Sequence, residues 1–395
     1  MKILHIDETF HPHYGYHTSI LTRNEALNES NEIYILTVDH KKLYPVYKDF
    51  NDYEYDLAND RTFEKKNLHI VRCGVYRYIS NRAIYVGKIF KIIDKIKPDI
   101  IYCHLLESYI AIRLLLRKSK YPIIFDSHML QMASKNKFSK WFNFFFRKIA
   151  TPKIVKNKYK IIKTQNDPYL TDVLGIPENL IEFISFGTDV DLFHSDANIK
   201  SVMRKKYNIG QEDFVVLYTG KLTEDKGGTF YSQVLSKKFN LVNERNIVFV
   251  IVGFITEELK DKFKQSQNRI IFVERQKYID LPKFYQFADL SVFPKQCSLS
   301  FYDAQSCGLP VVSENNLVNS ERLEYNNGLT FKPGDVDDFR SKILFFANMS
   351  KEDIEIYAEN AINFVQKSYS YKKIVQQYND IYLNEIKRFK EKIGG

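Results

Sequence analysis

Two lysines lie five positions apart in one short loop near the middle of the chain. Lys221 and Lys226 belong to the stretch YTGKLTEDKGG (218–228), which follows an apolar run and precedes a helical pattern. Gly220 permits a tight turn, so both ammonium groups can be directed to one place. Two cations at the end of a strand suit a diphosphate, whose negative charge they would neutralise. A solvated, lysine-rich loop is the alternative that this stretch alone leaves open.

A second candidate site lies in the stretch FPKQCSLSFYDAQSCGLPVV (293–312). Ser298, Leu299 and Ser300 open a predicted helix, whose first backbone N–H groups have no partner within the helix and favour phosphate. Asp303 follows one turn later, where it could accept hydrogen bonds from vicinal hydroxyls such as those of a ribose. The alternative is that Ser300 and Asp303 form a capping box and bind nothing.

The elements that must position these two stretches alternate between strand and helix. Apolar runs bounded by loops predict parallel strands at 2–6, 32–38, 96–104, 121–128, 161–164, 181–185, 214–218, 247–252, 269–273, 290–293 and 328–333. Helical patterns between them give the βαβ order of an α/β protein with two tandem Rossmann-like, doubly wound parallel-sheet domains. We place the boundary in the polar stretch 194–212, which gives a first domain of 1–195 and a second of 196–371.

Length and composition limit the class of protein. A chain of 395 residues is too long for one ordinary core and suits two domains. The N-terminus has no apolar run of signal-peptide length, and no stretch approaches about 20 uninterrupted apolar residues, so we expect no spanning helix. Four scattered cysteines, at positions 73, 103, 297 and 307, indicate buried thiols in a reducing, cytoplasmic compartment.

The net charge of +10 is concentrated in one segment of the first half. Residues 135–163 contain ten basic residues and no acidic residue, interleaved with Trp141 and several phenylalanines. Such a mixture suits the headgroup layer of an anionic membrane. No RNA-binding signature accompanies the segment, so we expect no nucleic-acid partner, whereas a solvated helix face remains an alternative. The prediction is peripheral contact with the inner face of the cell membrane.

Taken together, these stretches resemble the GT-B-fold glycosyltransferases, and in particular glycosyltransferase family 4. GKLTEDKG (220–227) is similar to the family's Gly-Arg-Leu, two residues, Glu-Lys-Gly motif, with Lys221 in place of the arginine. Further stretches follow in the family's order and spacing at 251–253, 281–294, 303–312 and 326–339, with weaker landmarks at 98–104, 122–128 and 186–193.

The resemblance implies a metal-independent, retaining enzyme without a cofactor. It would move a hexose-type sugar from a nucleotide-diphosphate sugar to a glycan or lipid-linked glycan, in the assembly of surface polysaccharide, glycolipid or glycoprotein glycan. The resemblance also implies that a C-terminal helix, about 372–395, crosses back to the first domain. By position, Lys221 and Lys226 would bind the donor diphosphate, and Asp303 stands where the family's second glutamate binds the ribose.

Two positions in the first half carry further implications of the resemblance. His128 matches a family histidine that contacts the donor sugar near the reacting centre, which makes it a candidate catalytic residue beside the two lysines. A partly buried structural histidine is the alternative reading. Gly15 would let the first loop approach the donor.

Three departures from the family pattern weaken this transfer of roles. Lys295 stands where the family has its first glutamate, and Gln296 and Ser298 are the nearest polar candidates for contacts with the donor sugar. Tyr16 replaces a glycine found in many members, and Asp303 is one methylene shorter than glutamate. Two other classes therefore stay open: a nucleotide-sugar 2-epimerase-like isomerase, and a non-catalytic partner subunit.

Overall fold

The structure is a computed structural model that describes residues 1–12, 16–39, 42, 57–130, 139–242, 245–295 and 299–394. The chain divides into two compact units. The first unit contains Met1–Phe186 and the chain from Lys372 onward, and the second contains Gly187–Tyr371. Each unit is built on its own parallel sheet.

The first unit has a seven-stranded parallel sheet in the order β3-β2-β1-β6-β7-β8-β9, and a separate two-stranded antiparallel hairpin, β4-β5. Its strands are β1 Lys2–Ile6, β2 Glu32–Val38, β3 Leu68–Cys73, β4 Val75–Ile79, β5 Arg82–Tyr85, β6 Ile100–Cys103, β7 Ile123–Ser127, β8 Lys160–Lys163 and β9 Ile181–Phe183. Its helices are α1 His17–Glu25, α2 Leu57–Phe63, α3 Ile89–Ile96, α4 Tyr109–Leu116, α5 Ser139–Phe145 and α6 Thr151–Asn157, with π-helical turns at Phe146–Ala150 and Tyr169–Val173 and a 3₁₀ turn at Glu178–Leu180.

The second unit has a six-stranded parallel sheet in the order β12-β11-β10-β13-β14-β15, the strand order of a dinucleotide-binding sheet. Its strands are β10 Phe214–Thr219, β11 Ile247–Val252, β12 Arg269–Val273, β13 Leu290–Phe293, β14 Val311–Glu314 and β15 Gly328–Phe331. Its helices are α7 Ala197–Lys206, α8 Gly228–Val234, α9 Glu257–Phe263, α10 Pro282–Phe287, α11 Ser300–Ser306, α12 Leu317–Arg322, α13 Val336–Ala347 and α14 Lys351–Ser368, with 3₁₀ turns at Glu224–Lys226 and Tyr278–Asp280. The last helix, α15 Tyr371–Gly394, begins in this unit and continues in the first.

Burial explains why these sequences form these strands. Every residue of β10 and β11 is buried, because helices cover both faces of a parallel sheet, and both strands are correspondingly free of charge. Side-chain caps define several helix starts: the hydroxyl of Thr256 accepts from the N–H of Leu259, and the carboxylate of Asp335 accepts from the N–H of Asp338.

The predicted fold class, two Rossmann-like parallel-sheet domains with a C-terminal helix that returns to the first, is confirmed. The division falls at Phe186/Gly187 instead of 195/196, because residues 187–195 pack on the second unit. The hydroxyl of Ser306 donates to the carbonyl of Phe193, whose ring lies 5.6 Å from that of Tyr285. The hairpin β4–β5 was not predicted, since its two strands are short and mostly half-exposed.

The structure also bears on two expectations, one about the cysteines and one about membrane-spanning helices. Cys73, Cys103 and Cys307 are buried free thiols, and Cys297 lies outside the described residues. Within the described part of the chain, no helix is both long and apolar enough to cross a membrane.

Candidate functional site

The stretch 218–228, called the lysine loop below, begins in the second unit where the ends of strands β10 and β11 lie close together. β10 is followed by Gly220 and β11 by Gly253, and both glycines have positive φ values, +129° and +137°. A Cβ atom on Gly253 would lie 2.0 Å from the carbonyl oxygen of Gly220, so only glycine fits. The N–H of Gly220 donates to the carbonyl of Val252, which fixes the turn.

Lys221 and Lys226 lie on the loop that follows. Lys221 is exposed, with its Nζ 5.2 Å from the centroid of the Phe254 ring, and Lys226 is half-buried at the end of a 3₁₀ turn. The next residue, Gly227, has φ of +81°, and a Cβ there would lie 3.2 Å from the Cβ of Pro294. The structure therefore places the lysine loop beside the start of the 293–312 stretch, within one unit.

Asp303 is buried inside α11 and does not form the capping box considered above. The helix begins at Ser300 with Leu299 as its N-cap and without a side-chain cap. The hydroxyl of Thr188 donates to Oδ1 of Asp303 over 2.5 Å. Burial raises the pKa of Asp303 to about 7, against the lowering effect of the Thr188 hydrogen bond, and the charge of Asp189 raises it further. Thr188 thus occupies one of the two carboxyl oxygens of Asp303.

The remaining donor-binding positions divide into two groups. Ser300 lies at the start of α11, beside Tyr285, whose hydroxyl is 2.7 Å from that of Thr219 at the end of β10. Leu299 precedes it. The other three predicted residues lie outside the described part of the chain: Gly15, Gln296 and Ser298.

His128 follows β7 in the first unit and retains a side-chain exposure of 24%. Its Nδ1 lies 2.9 Å from the hydroxyl oxygen of Thr164, and its Nε2 lies 3.3 Å from a carboxylate oxygen of Asp126. Burial lowers the pKa of His128, and this effect outweighs the opposing charge of Asp126. The ring is therefore neutral near pH 7.

A buried polar network behind His128 was missed by the sequence reasoning. His5 on β1 contacts Glu25 on α1 at 2.8 Å and His104 at 3.0 Å, and His104 contacts Asp126 at 2.7 Å. Two tyrosines of α15 complete the network: Tyr378 lies 3.1 Å from both His17 and Tyr102, and the hydroxyl of Tyr382 donates to Glu25. A signal was present, because β1 carries a histidine and the chain leaving β6 begins with another, at positions that parallel pairing brings together.

Among the described residues, one group of side chains has the spacing of a cation site. His17, His104 and Asp126 bring one ligand atom each within 4.8 Å of one another. Nδ1 of His104 already bonds Asp126, and Nε2 of His17 bonds the hydroxyl of Tyr378. We therefore assign these atoms to the hydrogen-bonded network.

The described part of the basic segment, 139–163, presents a mixed exposed face. Trp141 and Phe144 are 76% and 60% exposed, and Phe146 and Ile154 are turned into the core. The exposed basic residues of the same segment are Lys140, Arg147, Lys148, Lys153, Lys156 and Lys158. Exposed aromatic rings and exposed cations thus alternate along this segment.

Comparisons with known protein families give a match for each of the two units. Residues 213–348 match the family Glycosyl transferases group 1, and residues 52–165 match the family Glycosyl transferase 4-like. The two matches fall on the two units in the order that the sequence predicted. The chain belongs to the group 1, family 4-like glycosyltransferases, as the motifs indicated.

Solved structures agree on the fold. Sucrose-phosphate synthase of Thermosynechococcus elongatus superposes with a TM-score of 0.72 at 16% identity, covering 97% of this chain and 98% of that one. Anabaena HepE, in complex with UDP and glucose, superposes with a TM-score of 0.72 at 18% identity, covering 97% and 100%. At such low identity the likeness establishes the GT-B fold alone.

A sequence relative is an uncharacterized glycosyltransferase of Methanocaldococcus jannaschii. It is 25% identical over an alignment of 252 residues, and the match covers 57% of this chain. The alignment spans 58% of the relative's own length.

Proposed function

We propose that this protein transfers a hexose-type sugar from a nucleotide-diphosphate sugar to a hydroxyl of a glycan or lipid-linked glycan, with retention at the anomeric carbon and without a metal ion. The observation that carries the proposal is the packing of the lysine loop against Pro294 and Lys295 in the second unit. Two ammonium groups on this loop suit the diphosphate of a nucleotide sugar, and the carboxyl group of Asp303 in the same unit would bind the ribose. The complexes of Anabaena HepE with UDP and with UDP-glucose support a donor of this class.

The lysines would act at the leaving group. Breaking the bond between the sugar and the diphosphate leaves negative charge on the departing oxygen, and Lys221 and Lys226 would stabilise that charge in place of a metal. The diphosphate, leaving on the face from which the acceptor enters, would take up the proton of the acceptor hydroxyl.

A donor screen tests the proposal. The full chain is mixed with UDP-, GDP-, ADP- and CMP-sugars, and binding is followed by thermal shift and saturation-transfer NMR. We expect one of the three diphosphate classes, the UDP-, GDP- or ADP-sugars, to raise the melting temperature of the wild type, and Lys226→Ala to abolish the rise. Absence of binding to these three classes, or binding of CMP-sugars alone, contradicts the proposal.

Lys295 gives a specific reason to retain the second class, a non-catalytic partner subunit. The residue replaces the acid that the family resemblance leads us to expect, and its side chain carries the opposite charge. Binding of a nucleotide sugar without transfer to a broad panel of acceptors would support the partner subunit. Conversion of the donor alone into an epimer would instead support the isomerase.

We further propose that the exposed face of α5 and α6 docks on an anionic membrane, which would present a lipid-linked acceptor. Exposed Trp141 and Phe144 lie among exposed lysines, and each cation contributes about 1 kcal/mol near such a surface. Flotation with vesicles of phosphatidylglycerol and phosphatidylcholine tests this.

We expect the wild type to float with the anionic vesicles and not with phosphatidylcholine alone. The double variant Trp141→Ser with Phe144→Ser should lose flotation. The matched control, Val242→Ser with Ile279→Ser, removes apolar side chains that are 84% and 69% exposed in the second unit and should float as the wild type does. Equal flotation of both double variants contradicts the membrane proposal.

A further inference from the structure

Both ring nitrogens of His128 have polar neighbours in the first unit, and the chemistry of these neighbours favours one nitrogen for the proton. Nε2 lies 3.3 Å from Asp126, and Nδ1 lies 2.9 Å from the hydroxyl of Thr164. The Thr164 hydroxyl has a second, more distant neighbour, the carbonyl of Ser127 at 3.4 Å.

The negative charge of Asp126, 3.3 Å from Nε2, favours a proton on that nitrogen over a lone pair by electrostatic attraction. In a neutral ring with Nε2 protonated, Nδ1 is an acceptor, and the hydroxyl of Thr164 donates to it. The Thr164 hydroxyl has a single hydrogen, so in this state it donates to Nδ1 and not to its alternative acceptor, the Ser127 carbonyl.

Asp126 is held in place by three hydrogen-bond donors. The hydroxyl of Tyr102 and Nδ1 of His104 each lie 2.7 Å from its Oδ2, and the N–H of Leu105 donates to Oδ1 over 2.8 Å. Burial by itself would raise the pKa of Asp126, but the charges of His128 and His104 and the His104 hydrogen bond outweigh it and hold the pKa below its usual range. The carboxylate is fixed and ionised.

The hydrogen bonds beyond His104 require one additional proton, which offsets part of the negative charge near Asp126. Three contacts join Glu25 to His5, His5 to His104, and His104 to Asp126, and each requires one hydrogen. Two neutral imidazole rings carry only two. A third proton is therefore shared along the line, and it offsets one of the two buried carboxylates.

We propose that Asp126 is the positioning residue of His128: it holds the ring as the Nε2–H tautomer and leaves Nδ1 as the acceptor for the hydroxyl of buried Thr164, which fixes the orientation of the ring. The part that His128 plays in turnover rests on the proposed function, whereas the tautomer does not. The charged or titratable groups facing His128 are Asp126, His104, His17, Asp7 and Arg82.

NMR of the wild type tests the tautomer directly. The full chain is labelled with ¹⁵N-histidine, and long-range ¹H–¹⁵N spectra near neutral pH are assigned with the His128→Gln variant. We expect the pattern of a neutral ring protonated at Nε2. A ring protonated at Nδ1, or at both nitrogens, overturns the proposal.

Two variants distinguish the contribution of Asp126 from that of Thr164. Asp126→Asn should lose the preference for Nε2–H and lower kcat by about tenfold or more, with a smaller change in the donor KM. Thr164→Val should keep the Nε2–H tautomer and shift only the Nδ1 resonance. The control Asp94→Asn removes an exposed carboxylate of the same unit and should change neither. Loss of the tautomer in Thr164→Val with Asp126 intact would show that Thr164 sets it, which overturns the proposal.

These readouts are independent of the donor screen. If no nucleotide sugar binds while His128 shows the Nε2–H pattern and Asp126→Asn abolishes it, the proposed function falls and the positioning role stands. If a donor binds and is turned over while the ring is protonated at Nδ1, the positioning role falls and the proposed function stands.

Discussion

The residues at the ends of the parallel strands differ in chemical character between the two units. In the first, the strand ends carry His5, His104 and Asp126, which are fully buried and hydrogen-bonded to one another. In the second, the strand ends carry glycines that allow close approach, followed by Lys221, which is exposed. A desolvated, mutually bonded cluster provides fixed orientation, whereas exposed cations on a tight loop provide charge for a ligand. The difference predicts that removal of Glu25 from the buried cluster will mainly affect stability, whereas removal of Lys226 from the lysine loop will mainly affect turnover.

The largest expected effect on stability comes from the buried network. Glu25→Ala should lower the free energy of unfolding by roughly 3–5 kcal/mol, because it leaves the ring of His5 and the hydroxyl of Tyr382 without their buried partner. The control Asp94→Ala breaks an exposed contact with Lys120 at 3.4 Å and should cost less than about 1 kcal/mol. Urea unfolding measures both. Equal losses would show that the first unit does not depend on its network.

Removal of a cation from the second unit should act on turnover. Lys226→Ala is expected to lower kcat by roughly 10²–10³-fold, because one stabilising partner of the leaving diphosphate is lost. Its melting temperature should stay close to that of the wild type, since the residue is only half-buried. Lys264→Ala, which removes a lysine that is 76% exposed on the same unit, should leave transfer unchanged. Wild-type transfer by the Lys226 variant refutes the assignment.

The requirement for glycine at the strand ends of the second unit can be tested with two matched substitutions. Gly253→Ala should cost more than about 2 kcal/mol, because its Cβ would meet the carbonyl of Gly220 in a backbone conformation that alanine rarely adopts. Gly334→Ala shares the positive φ, +72°, but its Cβ would meet no atom within 4 Å, so a cost of about 1 kcal/mol is expected. Thermal and urea unfolding compare the two. A smaller loss for the Gly253 variant would argue against the close approach.

The smallest expected effect is a pH dependence at Asp303. Its pKa is raised from 3.8 to about 7 in the folded state, so the folded chain binds this proton more tightly and the stability from this group falls as pH rises from about 4 to about 7. Asp303→Asn should therefore gain roughly 1–2 kcal/mol relative to the wild type between about pH 5 and about pH 8.

Urea unfolding at both pH values checks the Asp303 prediction. A stability difference between variant and wild type that stays constant across this range would show that the carboxyl group is not desolvated. The Asp303→Asn variant keeps an acceptor for the hydroxyl of Thr188, so the substitution changes charge with little change in packing.

Much of the fold could be predicted because its signals are local. β11, β12 and β13 were predicted with the bounds that the structure shows, since strands bounded by turns and buried in a parallel sheet must be runs of apolar residues. The lysine loop could be recognised because its residues are contiguous. The partner of Asp303 could not, because Thr188 lies 115 residues away and no local pattern joins them.

The sequence by itself determined the alternation of strands and helices, the two-domain plan and the family, because these follow from the order and spacing of residue types along the chain. Tertiary structure alone decided which polar groups meet. His5 reaches His104 across 99 positions because parallel pairing brings β1 beside β6, and Tyr378 reaches His17 across 361 because α15 returns to the first unit. Asp126 lies only two positions before His128, but Tyr102 and His104, which hold the Asp126 carboxylate, lie 24 and 22 positions away from it and are brought there by the pairing of β6 with β7.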